Sequence, residues 1–109
     1  MRKKSVALIL LCLLLSSAIE ARHARNVVVV KVLDFSGKPL KHACVTLVPK
    51  EGEIIFRNAD GKGVVTVKDL EPGKYRVTAK VEGFVAEKQE ITIEESGSYL
   101  VMFSLDAKS

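Results

Sequence analysis

Seven short apolar segments follow one another after Arg25, and turn-forming residues separate each from the next. The clearest is "KYRVTAKV" (74–81), in which Tyr75, Val77 and Ala79 alternate with polar residues. Alternation with a period of two is the pattern of a strand with one buried and one exposed face. After Arg25, no segment has a helical period long enough to predict a helix. The chain is therefore predicted to be all-β, a seven-stranded Greek-key sandwich with Ig-like or prealbumin-like architecture.

The other six predicted strands are rich in β-branched residues and end at turn signals. They are residues 26–34, 42–48, 53–56, 64–67, 85–93 and 98–105. The sequences "SGKP" (36–39) and "NADGKG" (58–63) are the strongest of these turn signals, because glycine, proline and aspartate favour tight turns.

The first residues have the pattern of a secretory signal peptide. Arg2, Lys3 and Lys4 precede an aliphatic run over residues 6–15, and small residues follow it. Cleavage is expected near Ala18 or Ala21. The predicted organisation is a signal peptide (1–21), a short N-terminal tail (22–26) and one domain (27–106).

The apolar run is shorter than the roughly 20 residues that a membrane span requires. We therefore expect a secreted or cell-envelope protein whose mature chain has no membrane span. Retention of the segment as an uncleaved anchor is the alternative.

Net charge and cysteine content limit the expected partners and the disulfides that can form. Removal of residues 1–21 lowers the net charge from +4 to +2, and no run of Lys or Arg interleaved with aromatic residues remains. Nucleic acid is therefore not an expected partner. Cys44 is the one cysteine left, so no internal disulfide can form, and a free thiol is expected there.

One motif combines turn and strand residues. In "LEPGKY" (70–75), Pro72 fixes its own φ, and Gly73 permits a positive one. Tyr75 would then point inward, with its hydroxyl bonded to the turn backbone, as in a tyrosine corner. Leu70, Pro72, Gly73 and Tyr75 are therefore interpreted as a structural corner, and a catalytic role for Tyr75 is disfavoured because no base lies near it in sequence.

Several motifs together resemble the carboxypeptidase regulatory-like domain. They are the G-K-P-L turn (37–40), Ala43-Val45-Leu47, Asp60-Gly61, the L-x-P-G-x-Y corner (70–75) and Gly83-Phe84. The resemblance implies a β-sandwich that folds, positions or interacts, usually without catalysis. We therefore expect an exported, non-enzymatic module that binds a protein or glycan partner and uses no cofactor or metal.

The prealbumin-like relatives supply two alternatives. "VKVLD" (30–34) is similar to the first strand of transthyretin, which implies a small-ligand carrier assembled as an oligomer. The related hydroxyisourate hydrolase has histidine where this chain has Lys31 and ends in Tyr-Arg-Gly-Ser, whereas this chain ends in Ala-Lys-Ser. The hydrolase activity is therefore disfavoured.

Two further kinds of chemistry are disfavoured by residue type. Collagen-adhesin repeats join a lysine to an asparagine or aspartate by an isopeptide bond, with a glutamate nearby. The positions of that lysine and that glutamate fall here on Val32 and Ala79. His42 and Cys44 resemble a thiol–imidazole pair, but no orienting third residue accompanies them.

The final expectation concerns a surface. If Val28, Val30 and Val32 point inward, their neighbours in the first strand point outward. In this family the first and last strands lie side by side. We therefore predict an exposed apolar interface, for a second copy or a companion protein, made of Val27, Val29, Leu33, Leu100 and Met102.

Overall fold

A computed structural model describes residues 25–109 of the chain, which form seven strands. The strands are β1 (Arg25–Asp34), β2 (Cys44–Pro49), β3 (Ile55–Asn58), β4 (Val64–Lys68), β5 (Gly73–Lys80), β6 (Glu87–Ile93) and β7 (Ser96–Leu105). The predicted all-β fold is confirmed. The predicted signal peptide (1–21) lies outside the described residues. Within residues 25–109 no helix is long and apolar enough to cross a membrane.

The strands form two sheets that pack face to face. One has three strands in the order β4-β1-β7, and the other has four in the order β3-β2-β5-β6. The first and last strands pair in parallel over their whole length, from Arg25 opposite Ser96 to Asp34 opposite Leu105. All other neighbours within the sheets are antiparallel.

The core lies between the two sheets and follows the alternation in the sequence. Val28, Val30 and Val32 of β1 are fully buried, as the pattern predicts. The other sheet contributes the inward residues of β2 and β5. Together these core residues of the four-stranded sheet are Val45, Leu47, Tyr75, Val77 and Ala79.

Two strand boundaries differ from the sequence prediction. Arg25, expected in the tail, is the first residue of β1, one residue before the predicted start. The third strand runs Ile55–Asn58, two residues later than the predicted 53–56. Gly52 adopts a φ of +121°, so the chain turns there and enters the sheet only at Ile55.

A close backbone approach fixes one end of the sandwich. Val32 donates its N–H to the carbonyl of Gly63, at 2.9 Å. Gly63 has a φ of +72°, and a Cβ there would lie 2.6 Å from the Val32 carbonyl oxygen. Only glycine fits this turn without displacing β1.

Candidate docking surface

The L-x-P-G-x-Y motif forms a corner at the start of β5. The Tyr75 ring is buried, and its hydroxyl donates to the Glu71 carbonyl at 2.6 Å. Gly73 has a φ of +146°, in the region that favours glycine. Burial, reinforced by the negative charge of Glu71, raises the pKa of Tyr75. The hydroxyl therefore acts as a neutral donor that holds the turn against the strand.

Asn26 is a buried polar residue at the same end, and sequence reasoning missed it. Its side chain is fully buried and makes three hydrogen bonds. It accepts from the Leu70 N–H at 2.8 Å and donates to the carbonyls of Leu70 (2.8 Å) and Glu94 (3.0 Å). The sequence does contain one signal: Asn26 lies two residues before Val28, so the alternation along the strand places both on the inward face.

A second tyrosine completes this region. The Tyr99 hydroxyl accepts the Glu94 N–H at 2.8 Å. We call the group the tyrosine end: Asn26, Leu70, Glu71, Tyr75, Glu94 and Tyr99. No buried side-chain nitrogen or oxygen in the described chain lacks a partner. The tyrosine end therefore joins the two sheets through polar groups that are all used by the fold.

The outer face of the three-stranded sheet has a different character. The register places Val29 beside Leu100, and Lys31 beside Met102. Leu100 and Met102 are 59% and 49% exposed, whereas Val29 is half-buried between its neighbours. The five predicted interface residues thus share one outward surface, which we call the apolar face: Val27, Val29, Leu33, Leu100 and Met102.

Val64 extends the apolar face across β4. It pairs with Lys31 and is half-buried. The sequence did not reveal this neighbour, because only the antiparallel register of β1 and β4 brings the two residues together.

Every charged side chain on this outer surface is basic. Arg25 and Lys31 lie on β1 and Lys68 lies on β4, all exposed and all with outward parity. The remaining outward residues of the three strands are apolar, serine or threonine. The apolar face is therefore bordered by cations without a carboxylate among its strand residues.

The outer face of the four-stranded sheet is mainly polar. Lys74, Arg76 and Lys80 project from β5, and Arg76 lies 3.9 Å from Glu90 in an exposed ion pair. Such a pair contributes little to stability. Shallow grooves cross this face, and one of about 360 Å³ is lined by Val48, Pro49, Lys50, Lys74, Tyr75, Arg76 and Glu90.

Phe56 is an exception that the sequence analysis did not place. It pairs with Thr46, points outward and is 63% exposed. Its pairing with Thr46, which also faces outward, sets this orientation. Phe56 therefore interrupts the mainly polar outer face of this sheet.

Cys44 is half-buried at the start of β2 and has no disulfide. It lies between Asn58 and Lys80 in the outward register of the four-stranded sheet. With His42 and Lys80 it lines an open groove of about 510 Å³. Among residues 25–109, no three His, Cys, Asp or Glu side chains are grouped so as to hold a metal ion.

Two aspartates order the turns at the opposite end. Asp34 accepts hydrogen bonds from the hydroxyl and N–H of Ser36 and from the Lys38 N–H, and the Ser36 hydroxyl bond is the main reason that its pKa is lowered. Asp60 accepts from the Val64 N–H, which lowers its pKa in the same way, with help from Lys62. Both carboxylates are turn elements that hold backbone N–H groups.

The positions considered for an isopeptide crosslink are occupied by apolar core residues. Val32 and Ala79, at the positions of an isopeptide crosslink, are fully buried core residues. Lys31 projects to the opposite side of β1 from Val32 and is exposed beside Met102.

Three solved structures illustrate the fold similarity. The Bacillus anthracis TIE protein matches with a TM-score of 0.63 and 20% identity, over 77% of this chain and 17% of that one. A streptococcal ancillary pilin matches with a TM-score of 0.64 and 13% identity, over 77% and 33%. The Klebsiella pneumoniae 5-hydroxyisourate hydrolase matches with a TM-score of 0.59 and 19% identity, over 77% and 92%.

These identities establish a shared fold and nothing more specific. The chain spans only 17% of the TIE protein and 33% of the pilin. No curated protein matches the sequence significantly. The sequence model of one family, described as the carboxypeptidase regulatory-like domain, matches residues 27–106, which is most of the chain. This chain therefore belongs to the carboxypeptidase regulatory-like domain family.

Proposed function

We propose that the protein is an exported, non-enzymatic β-sandwich module that binds and positions a companion protein through the apolar face. The observation that carries this proposal is the pair of exposed side chains, Leu100 and Met102, beside Val29 on one sheet surface. A contiguous apolar patch on a small domain usually marks a contact surface.

The charges around the patch define the chemistry of the partner. Arg25, Lys31 and Lys68 are exposed around the apolar residues, and the strand residues of this surface include no acid. Two copies stacked face to face would oppose like charges. A companion with an apolar centre and an acidic rim fits better, because complementary charges favour encounter and orientation.

The surroundings of Tyr75 and Lys31 support a non-enzymatic role. The Tyr75 hydroxyl is bonded within the corner. Lys31 occupies the position at which the related hydrolase has histidine, and its sheet neighbours are Met102 and Val64. These neighbours supply no base or nucleophile, so they favour binding over hydrolysis. A transthyretin-like carrier would require an oligomer with a channel lined by Lys31.

Export is the second part of the proposal. It is supported by the basic residues, aliphatic run and small residues of the segment 2–18. Mass spectrometry of the protein recovered from cells expressing the full chain should find an N-terminus between Ile19 and Arg25. An intact Met1 on a cytosolic species would contradict export.

A specific observation supports glycan binding as a second candidate. Lys74, Arg76 and Lys80 project from one strand of the four-stranded sheet, and Phe56 is exposed on the same surface. Cations and an aromatic ring on one surface suit an acidic polysaccharide. Charge reversal by Lys74→Glu with Lys80→Glu should abolish retention on an acidic polysaccharide matrix while leaving protein docking intact.

The docking proposal is tested with a matched pair of variants. Leu100→Lys with Met102→Glu changes the apolar face, whereas Arg76→Glu with Thr78→Lys changes the opposite sheet surface. After chemical crosslinking in the native cells, the first variant should lose the companion that the wild type retains, and the second should keep it. Equal retention by both variants would contradict docking at the apolar face.

A further inference from the structure

The free edges of the two sheets differ in how well they are protected against pairing. The edge strands are β4 and β7 in one sheet, and β3 and β6 in the other. Edge strands are normally kept from pairing by shortness, charge, proline or bulges. β3 has four residues and carries Arg57; β4 has five and ends in Lys68. β6 has seven residues, including Glu87, Lys88 and Glu90.

β7 has none of these protections. It is ten residues long, and its sequence "SGSYLVMFSL" contains no charge and no proline. Within its bounds it pairs with β1 on one side only. Just beyond β7, Val85 donates to the Asp106 carbonyl at 2.7 Å, so the free edge ends at Ser104. A long, uncharged edge strand is a template for the addition of another strand.

One hydrogen bond identifies which backbone groups face the free edge. The Gln89 side chain donates from Nε2 to the Met102 carbonyl at 2.6 Å, so that carbonyl points away from β1. Backbone groups in a strand alternate between its two sides. The N–H and C=O groups of Ser98, Leu100, Met102 and Ser104 therefore lie along the free edge.

The sequence of β7 is self-complementary in one antiparallel register. If a two-fold axis passes through Val101, Leu100 of one copy lies opposite Met102 of the other, and Ser98 lies opposite Ser104. Apolar residues then meet apolar residues, and hydroxyls meet hydroxyls, which are favourable cross-strand pairs. The Met102 carbonyl has two lone pairs, so it can accept the new strand as well as Gln89.

The charges of the molecule are compatible with this arrangement. β7 itself is uncharged, and Lys31 lies one strand further in, beside Met102. In the extended sheet the two copies of Lys31 are separated by three strand spacings, about 14 Å. This exceeds the Debye length of roughly 8 Å at physiological salt, so their repulsion is largely screened.

We propose that two copies of the chain pair through the free edge of β7, antiparallel and centred on Val101. The two three-stranded sheets join into one continuous sheet in the order β4-β1-β7-β7-β1-β4. The pairing depends on β7 alone and not on the proposed docking of a companion. It places Leu100 and Met102 of both copies together at the centre of a doubled apolar face.

A charge-swap pair tests both the edge and the register. Ser98→Lys with Ser104→Lys sets lysine opposite lysine twice in the proposed dimer. Ser98→Lys with Ser104→Glu sets lysine opposite glutamate twice. Thr66→Lys with Thr92→Lys adds the same charge as the first variant at exposed strand positions away from this edge.

Sedimentation of the protein purified after expression of the full chain is measured over a range of concentrations. The lysine–lysine variant should raise the dimer dissociation constant at least about tenfold, since two like-charged pairs oppose each other. The lysine–glutamate variant and the Thr66/Thr92 control should remain within about threefold of the wild type. Urea unfolding of each variant separates loss of pairing from loss of folding.

The Ser98 and Ser104 variants test only the pairing of two copies through β7, and not the docking of a companion. The Leu100→Lys with Met102→Glu variant also places opposite charges across the proposed register, so it should lose the companion and keep the dimer. A wild-type chain that stays monomeric at all concentrations, as expected if the edge receives a strand from a different protein, would overturn the proposal. So would equal weakening by the lysine–lysine and lysine–glutamate variants.

Discussion

The tyrosine end and the apolar face both include residues of β1 and β7, but they use their side chains differently. At the tyrosine end, the buried groups of Asn26 and Tyr75 are satisfied within the chain. On the apolar face, Leu100 and Met102 are largely exposed. Side chains used by the fold explain stability, whereas exposed apolar side chains are available for binding. Variants at the tyrosine end should therefore change stability and leave association intact, and variants on the apolar face should do the reverse.

The largest effect on stability is expected from Asn26→Ala. The substitution leaves the Leu70 N–H and the carbonyls of Leu70 and Glu94 without their buried partner. We expect the free energy of unfolding to fall by about 3 kcal/mol, measured by urea denaturation. Asn58→Ala, at an exposed asparagine, is the control and should change it by less than about 0.5 kcal/mol. Similar unfolding free energies for the two variants would contradict the structural role assigned to the tyrosine end.

The next effect is expected from Gly73→Ala. An alanine at a φ of +146° is strained even though no atom lies within 4 Å of the added Cβ. The free energy of unfolding should fall by at least about 1 kcal/mol. Gly61→Ala is the matched control, because Gly61 is also uncrowded but does not have a positive φ in the strained range. Wild-type stability of the Gly73 variant would refute the corner.

Tyr75→Phe removes one hydrogen bond and keeps the ring in the core. The free energy of unfolding should fall by about 1 kcal/mol at neutral pH, the net contribution of one such bond. Association through the apolar face should not change. If the variant is folded but no longer binds the companion, the tyrosine end and the apolar face are not independent.

The raised pKa of Tyr75 predicts how this difference varies with pH. Since the folded state holds the phenolic proton more tightly than the unfolded state, the stabilisation is complete below pH 10. It is lost as the pH rises from 10 through the folded pKa. The difference in unfolding free energy between wild type and Tyr75→Phe should therefore be smaller at pH 11 than at pH 8. A difference that grows over that interval would contradict the assigned direction.

The smallest effect on stability is expected from Leu100→Lys with Met102→Glu. Both residues are about half exposed or more, so little apolar contact with the core is lost. The free energy of unfolding should change by less than about 1 kcal/mol, although the companion is lost. A larger destabilisation would mean that the apolar face is part of the fold.

The alternation of apolar and polar residues was sufficient to predict the core. Val28, Val30 and Val32 are inward because strand neighbours alternate, and this property is local. The role of Asn26 depends on partners 44 and 68 residues away, so no local pattern could reveal it. Phe56 was missed because its direction is set by the register of β3 on β2, which places it opposite Thr46, and the short sequence of β3 does not reveal that register.

Site-specific photo-crosslinking tests most directly whether the apolar face receives a companion protein. A photoreactive residue is placed at Thr66, on the outer surface of the three-stranded sheet, or at Thr78, on the outer surface of the other sheet. We expect the full chain in its native cells to form a discrete adduct from Thr66 but not from Thr78, and to lose it with Leu100→Lys and Met102→Glu. Adducts of equal yield from both positions, or an adduct from Thr66 that survives the double substitution, would contradict the account.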